Sequence, residues 1–104
     1  MATATIHETE VHVDAEGFLT EFDEWDKTLG RDLAAAIGIE LTPRHWGVID
    51  FLREDYVAEG ETATLRRVAA GTGISIKQLF DLFPGKPAKK MAYIAGLPKP
   101  RGCV

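Results

Sequence analysis

"LTPRHWGVIDFLREDYVAEG" (Leu41–Gly60) decides how the rest of the chain is read. Thr42 is a good N-cap, because its hydroxyl oxygen can accept from an amide the first turn leaves unpaired. Pro43 suits the first helical position, where a missing N–H costs nothing. Gly60 is the natural stop. Between them Trp46, Ile49, Leu52 with Phe51 beside it, and Tyr56 recur at helical spacing. The stretch therefore predicts one long helix laying an apolar stripe on a core.

Toward the N-terminus, Trp25, Leu29, Leu33, Ala36 and Ile37 keep the same period, which predicts a helix from Asp23 to a stop at Gly38. Before it, "TATIHETEVHVDAEGFL" alternates at Ile6, Val11 and Val13 and then turns through "DAEG", so residues 1–20 read as a β-hairpin region. Toward the C-terminus, "ATLRRVAAGTGISIKQLFDLFPG" reads as two short helices. The first lies around Leu65–Ala70 and ends in the Gly71–Gly73 segment; the second is capped by Ser75 and closes before Pro84. Leu65, Val68, Ala69, Ile76, Leu79, Phe80 and Phe83 are predicted to pack together, and a last helix should run from Pro87 to Ala95. Gly96, Pro98, Pro100 and Gly102 then exclude regular structure, so residues 96–104 are expected to leave the globule as a flexible arm. The predicted class is mainly α (α+β): a small orthogonal helical bundle with an N-terminal β-hairpin, a helix-turn-helix-like pair and a mobile C-terminal arm, forming a single domain over 1–104.

A chain of 104 residues suits one core. Its formal net charge of -4 disfavours coating phosphates, which depends on Lys and Arg, so direct nucleic-acid binding is not expected. No apolar run reaches the roughly 18 residues of a membrane span, and the start has no basic region followed by an apolar one, which leads to the expectation of a cytoplasmic protein without membrane contact. A single cysteine excludes an internal disulfide, and His7, His12 and His45 are scattered, so no metal and no cofactor are expected.

Two features carry chemistry. In "RRVAAGTGISIKQLFDLF", Ala69, Gly73 and Leu79 fall at the spacing of a helix-turn-helix. The second helix would offer bases only Ser75, Lys77 and Gln78, opposed by Asp81, so a role in holding the fold is favoured. The other feature is the ending "GLPKPRGCV", which carries the only cysteine, Cys103, one residue from the end. At a polyproline-like rise of about 3.1 Å per residue, the segment from Leu97 to Cys103 could hold the sulfur roughly 20 Å from the last helix. Pro98 and Pro100 restrict the free arm and so reduce the entropy lost on capture, while Gly102 leaves the tip able to pivot. A free thiol titrates at about pH 8.5; Lys99 and Arg101 favour its anion and the terminal carboxylate opposes it.

His45, beside Trp46, has the chemistry of an auxiliary proton donor, although a role in orienting the first helical turn is favoured. Trp46 is expected in the core. Arg66, Arg67, Lys86, Lys89 and Lys90 could form a basic surface near the root of the arm, and Tyr93 could pack the arm onto the body.

In "IAGLPKPRGCV", "LFPGKPAKKM", "DAEGFL", "DEW", "GIELTPRHWGVIDFLREDY" and "LRRV", taken in order, the chain resembles the DsrC/TusE/RspA family of small sulfur-trafficking proteins over nearly its whole length. The resemblance implies a helical bundle with an N-terminal hairpin and a mobile arm. It also implies that Cys103 is the functional nucleophile, carrying sulfur as a persulfide, with Lys99 and Arg101 assisting and docking and with Pro98, Pro100 and Gly102 as mechanical parts. Implied partners are an upstream sulfur-donor protein and a downstream acceptor enzyme, in tRNA 2-thiouridine synthesis or with a sulfite reductase-type complex. Members serving dissimilatory sulfite reductase carry a second arm cysteine in "CxIAGLPKP"; here that position is Ala92, so closure of an internal disulfide is not open to this chain. The chain also has only "AAGTGISIKQ" where many sulfite-reductase partners and TusE proteins are expected to carry an insertion. The alternatives are a helix-turn-helix regulator of DNA and a non-catalytic subunit of a sulfur-metabolising complex.

Overall fold

A computed structural model of the chain describes residues 2–6 and 9–100. Strands β1 (Ala2–Ile6) and β2 (Thr9–Val13) pair antiparallel, from Ala2 with Val13 to Ile6 with Thr9. Five helices follow: α1 (Lys27–Ala36), α2 (Pro43–Glu59), α3 (Leu65–Thr72), α4 (Ile76–Leu82) and α5 (Pro87–Ile94). The class is mainly α with a small β element, as the periodicity predicts.

Along β2 the pleat sends Val11 and Val13 into the core and leaves Glu10 outside. "DAEG" then folds on its own aspartate: Asp14 Oδ1 accepts from the amides of Glu16 (2.9 Å) and Phe18 (3.0 Å), and the returning chain bridges Leu19 to Val13. Glu24 clips the sheet to the next segment, accepting the His12 amide at 2.8 Å while its other oxygen lies 2.7 Å from His12 Nδ1.

The single helix expected from Asp23 is two pieces, a 3-10 turn over Phe22–Glu24 and then α1. The cause is Asp26, whose side chain accepts from Leu29 N at 2.8 Å and starts a new helix as its N-cap. The break leaves Trp25 in extended backbone, free to point away from the α1 stripe. At the far end α1 closes in a Schellman motif, with Ile39 N–H on Ala34 O (2.9 Å), Gly38 N–H on Ala35 O (3.1 Å) and Gly38 at φ +75°.

Helix α2 has the predicted bounds, with Pro43 first and Gly60 left-handed at φ +77°. Its buried stripe is His45, Val48, Ile49, Leu52 and Asp55, turned from the expected one so that Trp46, Phe51 and Tyr56 become half-buried flanks. Two polar residues occupy the inner face because each has a fixed partner: His45 the end of α4, Asp55 the Arg67 guanidinium. Trp46, placed in the core by its type, packs half-buried against the core's edge, with Lys27 and Arg31 each 5.7 Å from its ring centre.

Helices α3 and α4 form the predicted pair, joined by Gly73, Ile74 and Ser75, although α3 runs two residues past Ala70. Ser75 and Gln78 exchange the two bonds of a capping box at 3.1 Å each. Ile76 and Phe80 are 42% and 45% exposed, against the expectation that they pack inside. Seven residues give α4 barely two turns, and Leu79 and Phe83 already fill its inner side.

The main core joins Val48, Ile49, Leu52, Val68, Leu79, Phe83, Met91, Ile94 and Leu97. A smaller one under the sheet holds Val11, Val13, Leu19, Leu29 and Leu33. Trp25 and Tyr93 pack against both. Among the described residues no helix is long and apolar enough to cross a membrane.

Candidate functional site: the root of the cysteine arm

Where the C-terminal segment leaves the body is set by how α5 ends. Leu97 N–H bonds Ala92 O at 3.0 Å and Gly96 N–H bonds Tyr93 O at 3.3 Å, the paired bonds of a second Schellman motif. Gly96 sits at φ +71°, and a Cβ placed there would come 2.4 Å from Trp25 Cδ1, so the turn demands glycine twice over. Two carbonyls that α5 leaves unpaired are closed from elsewhere in the fold. Trp25 Nε1–H donates to Ile94 O at 2.7 Å, and Arg53 Nη1–H donates to Ala95 O at 2.8 Å.

Arg53 is the centre of this closure. Its guanidinium lies between Phe22 and Trp25, 3.9 and 4.2 Å from their ring centres, and its second fork nitrogen donates to Phe22 O at 2.9 Å. Tyr56 stacks on the outer face of Phe22 at 5.5 Å. A planar, five-donor cation can stack and bond two carbonyls at once, and its charge complements the negative end of α5. Burial holds its pKa below the usual guanidinium value, with Asp23 pulling the other way.

Beyond Gly96 the chain stays on the body. Leu97 is fully buried in the main core, Thr62 Oγ1–H donates to Pro98 O at 2.7 Å, Lys99 Nζ lies 3.5 Å from Glu16 Oε1, and Pro100 is buried. The expected departure from the globule at Gly96 is thus corrected: residues 97–100 stay packed on the body. Leu97 is the physical reason, because leaving it in water would forfeit about 1.5–3 kcal/mol of apolar burial. Of the residues singled out in the arm, Pro98, Lys99 and Pro100 are fastened in this way, and Arg101, Gly102 and Cys103 lie outside the described residues. Ala92, in the place of a second arm cysteine, is fully buried on α5.

His45 is 6% exposed, with both ring nitrogens engaged. Nδ1 accepts from Thr42 N–H at 3.0 Å with the Thr42 hydroxyl at 2.7 Å, and Nε2 reaches Leu82 O at 2.8 Å, so the ring braces the start of α2 against the end of α4. The Nδ1 acceptor role assigns the proton to Nε2. Two of the five predicted basic residues are engaged with separate partners. Arg67 is tied to Asp55 by three bonds of 2.8–3.0 Å near the arm root, whereas Lys90 donates to Pro84 O at the opposite end of α5. Tyr93 sets its ring edge-on to Phe18 at 6.0 Å, and burial pushes its hydroxyl pKa up. The outward face of α4 exposes Ile76, Phe80 and Asp81, with Lys77 as its one cation.

Sequence reasoning passed over Arg53 and Thr62 and took Trp25 for ordinary core. A signal existed for two of them. Trp25 and Arg53 stand in "DEW" and "LREDY", two of the blocks that carry the resemblance, and Arg53 lies four residues after Ile49, a charge at the edge of an apolar stripe. Thr62 carries no such mark.

The model of the DsrC-like protein family matches residues 5–104. The gamma subunit of dissimilatory-type sulfite reductase from Nitratidesulfovibrio vulgaris is 37% identical over 105 residues, covering the whole of both chains. One gap accommodates 104 residues in 105 positions, so the missing insertion expected from "AAGTGISIKQ" does not set the chain apart from this relative. Sulfurtransferase TusE of Sodalis glossinidius is 36% identical, over 92% of this chain and 95% of its own. The solution structure of Allochromatium vinosum DsrC superimposes with a TM-score of 0.85 at 35% identity, covering 98% of this chain and 97% of that one. With the match running from Thr5 in β1 through all five helices to residue 104, the chain belongs to the DsrC-like family.

Proposed function

We propose that the protein is a sulfur carrier in a cytoplasmic relay, with Cys103 as the atom-bearing residue. What carries the reading is the conjunction of a lone, penultimate cysteine with a body matched over at least 92% of its length by proteins named TusE sulfurtransferase and sulfite reductase gamma subunit. The Cys103 thiolate attacks the outer sulfur of a donor persulfide; the donor sulfur leaves as thiolate and Cys103 becomes a persulfide. An acceptor thiolate then attacks the outer sulfur of Cys103, taking it and returning Cys103 to the thiolate, with no net oxidation. Arg101 favours the anionic forms, and Lys99, held on Glu16 at the body, contributes to docking once released.

Ala92 supports a single-site relay of the TusE kind, because the chain has no second thiol to expel the sulfur by forming an internal disulfide. Incubation with inorganic polysulfide followed by peptide mass spectrometry tests the proposal. The peptide containing Cys103 should gain the mass of one sulfur atom, and the gain should vanish in Cys103→Ala and under a thiol reductant. Absence of any adduct in the native chain overturns it. Sequence-specific duplex binding that survives Cys103→Ala would instead establish the regulator.

A further inference from the structure

A groove of about 460 Å³ opens between the end of α1 and the chain that leads to α2, lined by Arg31, Ala35, Gly38, Ile39, Glu40 and Leu41. Ile39 and Leu41 are half-buried against the main core and give it an apolar floor. Arg31 and Glu40 are exposed, of opposite charge, and unpaired with each other. The amides of Glu40 and Leu41 bond no other described residue, so the lining offers backbone donors as well as apolar surface.

Arg31 belongs to a second cluster too. Lys27 stands one turn before it on the same face of α1, and both cations come within 5.7 Å of the Trp46 ring centre. Like charges so placed repel, and the aromatic face is what offsets the repulsion, because neither cation has a carboxylate partner among the described residues. A carboxylate set between them would gain from both. Glu40 on the other wall opposes a second anion, so a polyanion such as nucleic acid fits poorly. A single carboxylate flanked by apolar side chains matches both ends of the groove.

We infer that this edge of the α1–α2 pair is a docking groove for a segment of a partner protein that carries one carboxylate beside apolar side chains. The carboxylate lies between Lys27 and Arg31, and the apolar side chains cover Ile39 and Leu41. The unused amides of Glu40 and Leu41 favour a peptide over a small carboxylate, because an extended chain supplies carbonyls in series along the lining. Trp and Arg are also the residue types that most often carry the energy of a protein interface. The groove contains nothing of the C-terminal segment, so it stands or falls independently of Cys103.

Titration of the full chain with acetyl-Glu-Leu-Leu-amide, followed through its amide resonances and the Trp46 indole N–H, tests this. A probe this small should bind at about millimolar affinity. Its shifts should concentrate on Lys27, Arg31, Gly38–Leu41 and the Trp46 indole, and they should shrink at high salt. The Gln counterpart of the peptide should bind at least about threefold more weakly, and Lys27→Gln with Arg31→Gln should weaken the Glu peptide about fivefold. Both side chains are exposed, so the variant keeps its fold, checked by unmoved resonances in α3 and α4. Lys27→Glu with Arg31→Glu should reverse the preference toward acetyl-Lys-Leu-Leu-amide, and Lys77→Gln on α4 should change nothing. Equal response to the Glu and Gln peptides, or a charge swap that leaves the preference in place, overturns the inference. So does acetyl-Glu-amide binding as well as the tripeptide, which would make the ligand a small carboxylate. Duplex DNA binding more tightly at the same residues also overturns it, as do the same shifts on concentrating the chain alone, the mark of a second copy.

Discussion

Replacing Gly96 with alanine isolates the contact that shapes the exit of the arm, because the same fold contains its control. Gly96 and Gly38 both sit at the left-handed position of a Schellman motif, at φ +71° and +75°. A side chain forced into that region costs about 1–2 kcal/mol at either site. At Gly38 nothing lies within 4 Å of the added Cβ, so the backbone term stands alone. At Gly96 the Cβ meets three atoms of Trp25 at 2.4, 2.8 and 2.9 Å, and that ring is pinned by its bond to Ile94 O and by the Arg53 stack. The ring must move or the turn must open, an overpacking cost of about 1–3 kcal/mol. Gly96→Ala should therefore lose about 2–5 kcal/mol and Gly38→Ala about 1–2, read by urea unfolding followed by circular dichroism. With about 4–8 °C per kcal/mol for a domain of this size, the two melting temperatures should separate plainly. Gly96→Ala should also displace the Trp25 indole N–H resonance, which Gly38→Ala leaves alone. Equal losses within about 0.5 kcal/mol, with the indole resonance unmoved, would refute the claim that Trp25 encloses the turn.

Arg53→Met keeps much of the apolar stem but leaves Ala95 O and Phe22 O without their donor, and should cost about 2–4 kcal/mol in urea unfolding. Arg53→Lys should recover less than half, because an ammonium cannot span both carbonyls and stack; full recovery counts against the fork geometry. The His12–Glu24 clip sets a pH window. Hydrogen bonding to Glu24 and its charge raise the His12 pKa, a stabilisation fully present below the ordinary 6.5 and lost as pH rises through the raised value. The bonds to the His12 amide and ring lower the Glu24 pKa, a stabilisation present above the ordinary 4.5 and lost as pH falls through the lowered value. The clip is thus strongest between about pH 4.5 and 6.5, and the stability-pH curve of His12→Gln should be flatter on the alkaline side of that window than that of the native chain.

The parts of the fold legible in the sequence are those whose partners are near in the chain. Thr42, Pro43 and Gly60 bound α2 because capping acts within a turn, and Ser75 with Gln78 announces α4 for the same reason. The stripe of α2 was turned because His45 and Asp55 belong to it, and nothing local says so: the partner of His45 is 37 residues away and that of Asp55 is 12. Trp25 shows the limit most clearly. Its spacing fits the α1 stripe, yet Asp26 starts the helix after it and its indole closes a carbonyl 69 residues on. Periodicity counts apolar residues and cannot see which backbone groups will need a donor. The arm carries the same lesson in reverse. Prolines and glycines correctly exclude helix and strand over residues 96–100, but absence of regular structure is not absence of packing, and Leu97 was apolar evidence for a seat in the core.

The fastenings of the C-terminal segment differ in strength from Ile94 to Lys99, and that order limits how a carrier built this way can move. Ile94 O and Ala95 O are closed by Trp25 and Arg53, side chains that bridge or complete the core, so freeing them would disturb the packing of α2 and of the Phe22 turn as well. Leu97 comes next, held by full burial and by its own Schellman bond. Thr62 on Pro98 O is a single hydrogen bond, and Lys99 on Glu16 is an exposed ion pair that salt screens. Peeling back from the tip therefore meets the buried Pro100, then the weak Lys99 pair and the Thr62 bond, and reaches the seat of Leu97 last. The arm can lengthen in steps while the body stays folded, because the turn at Gly96 is sealed into the core and the ties beyond it are not.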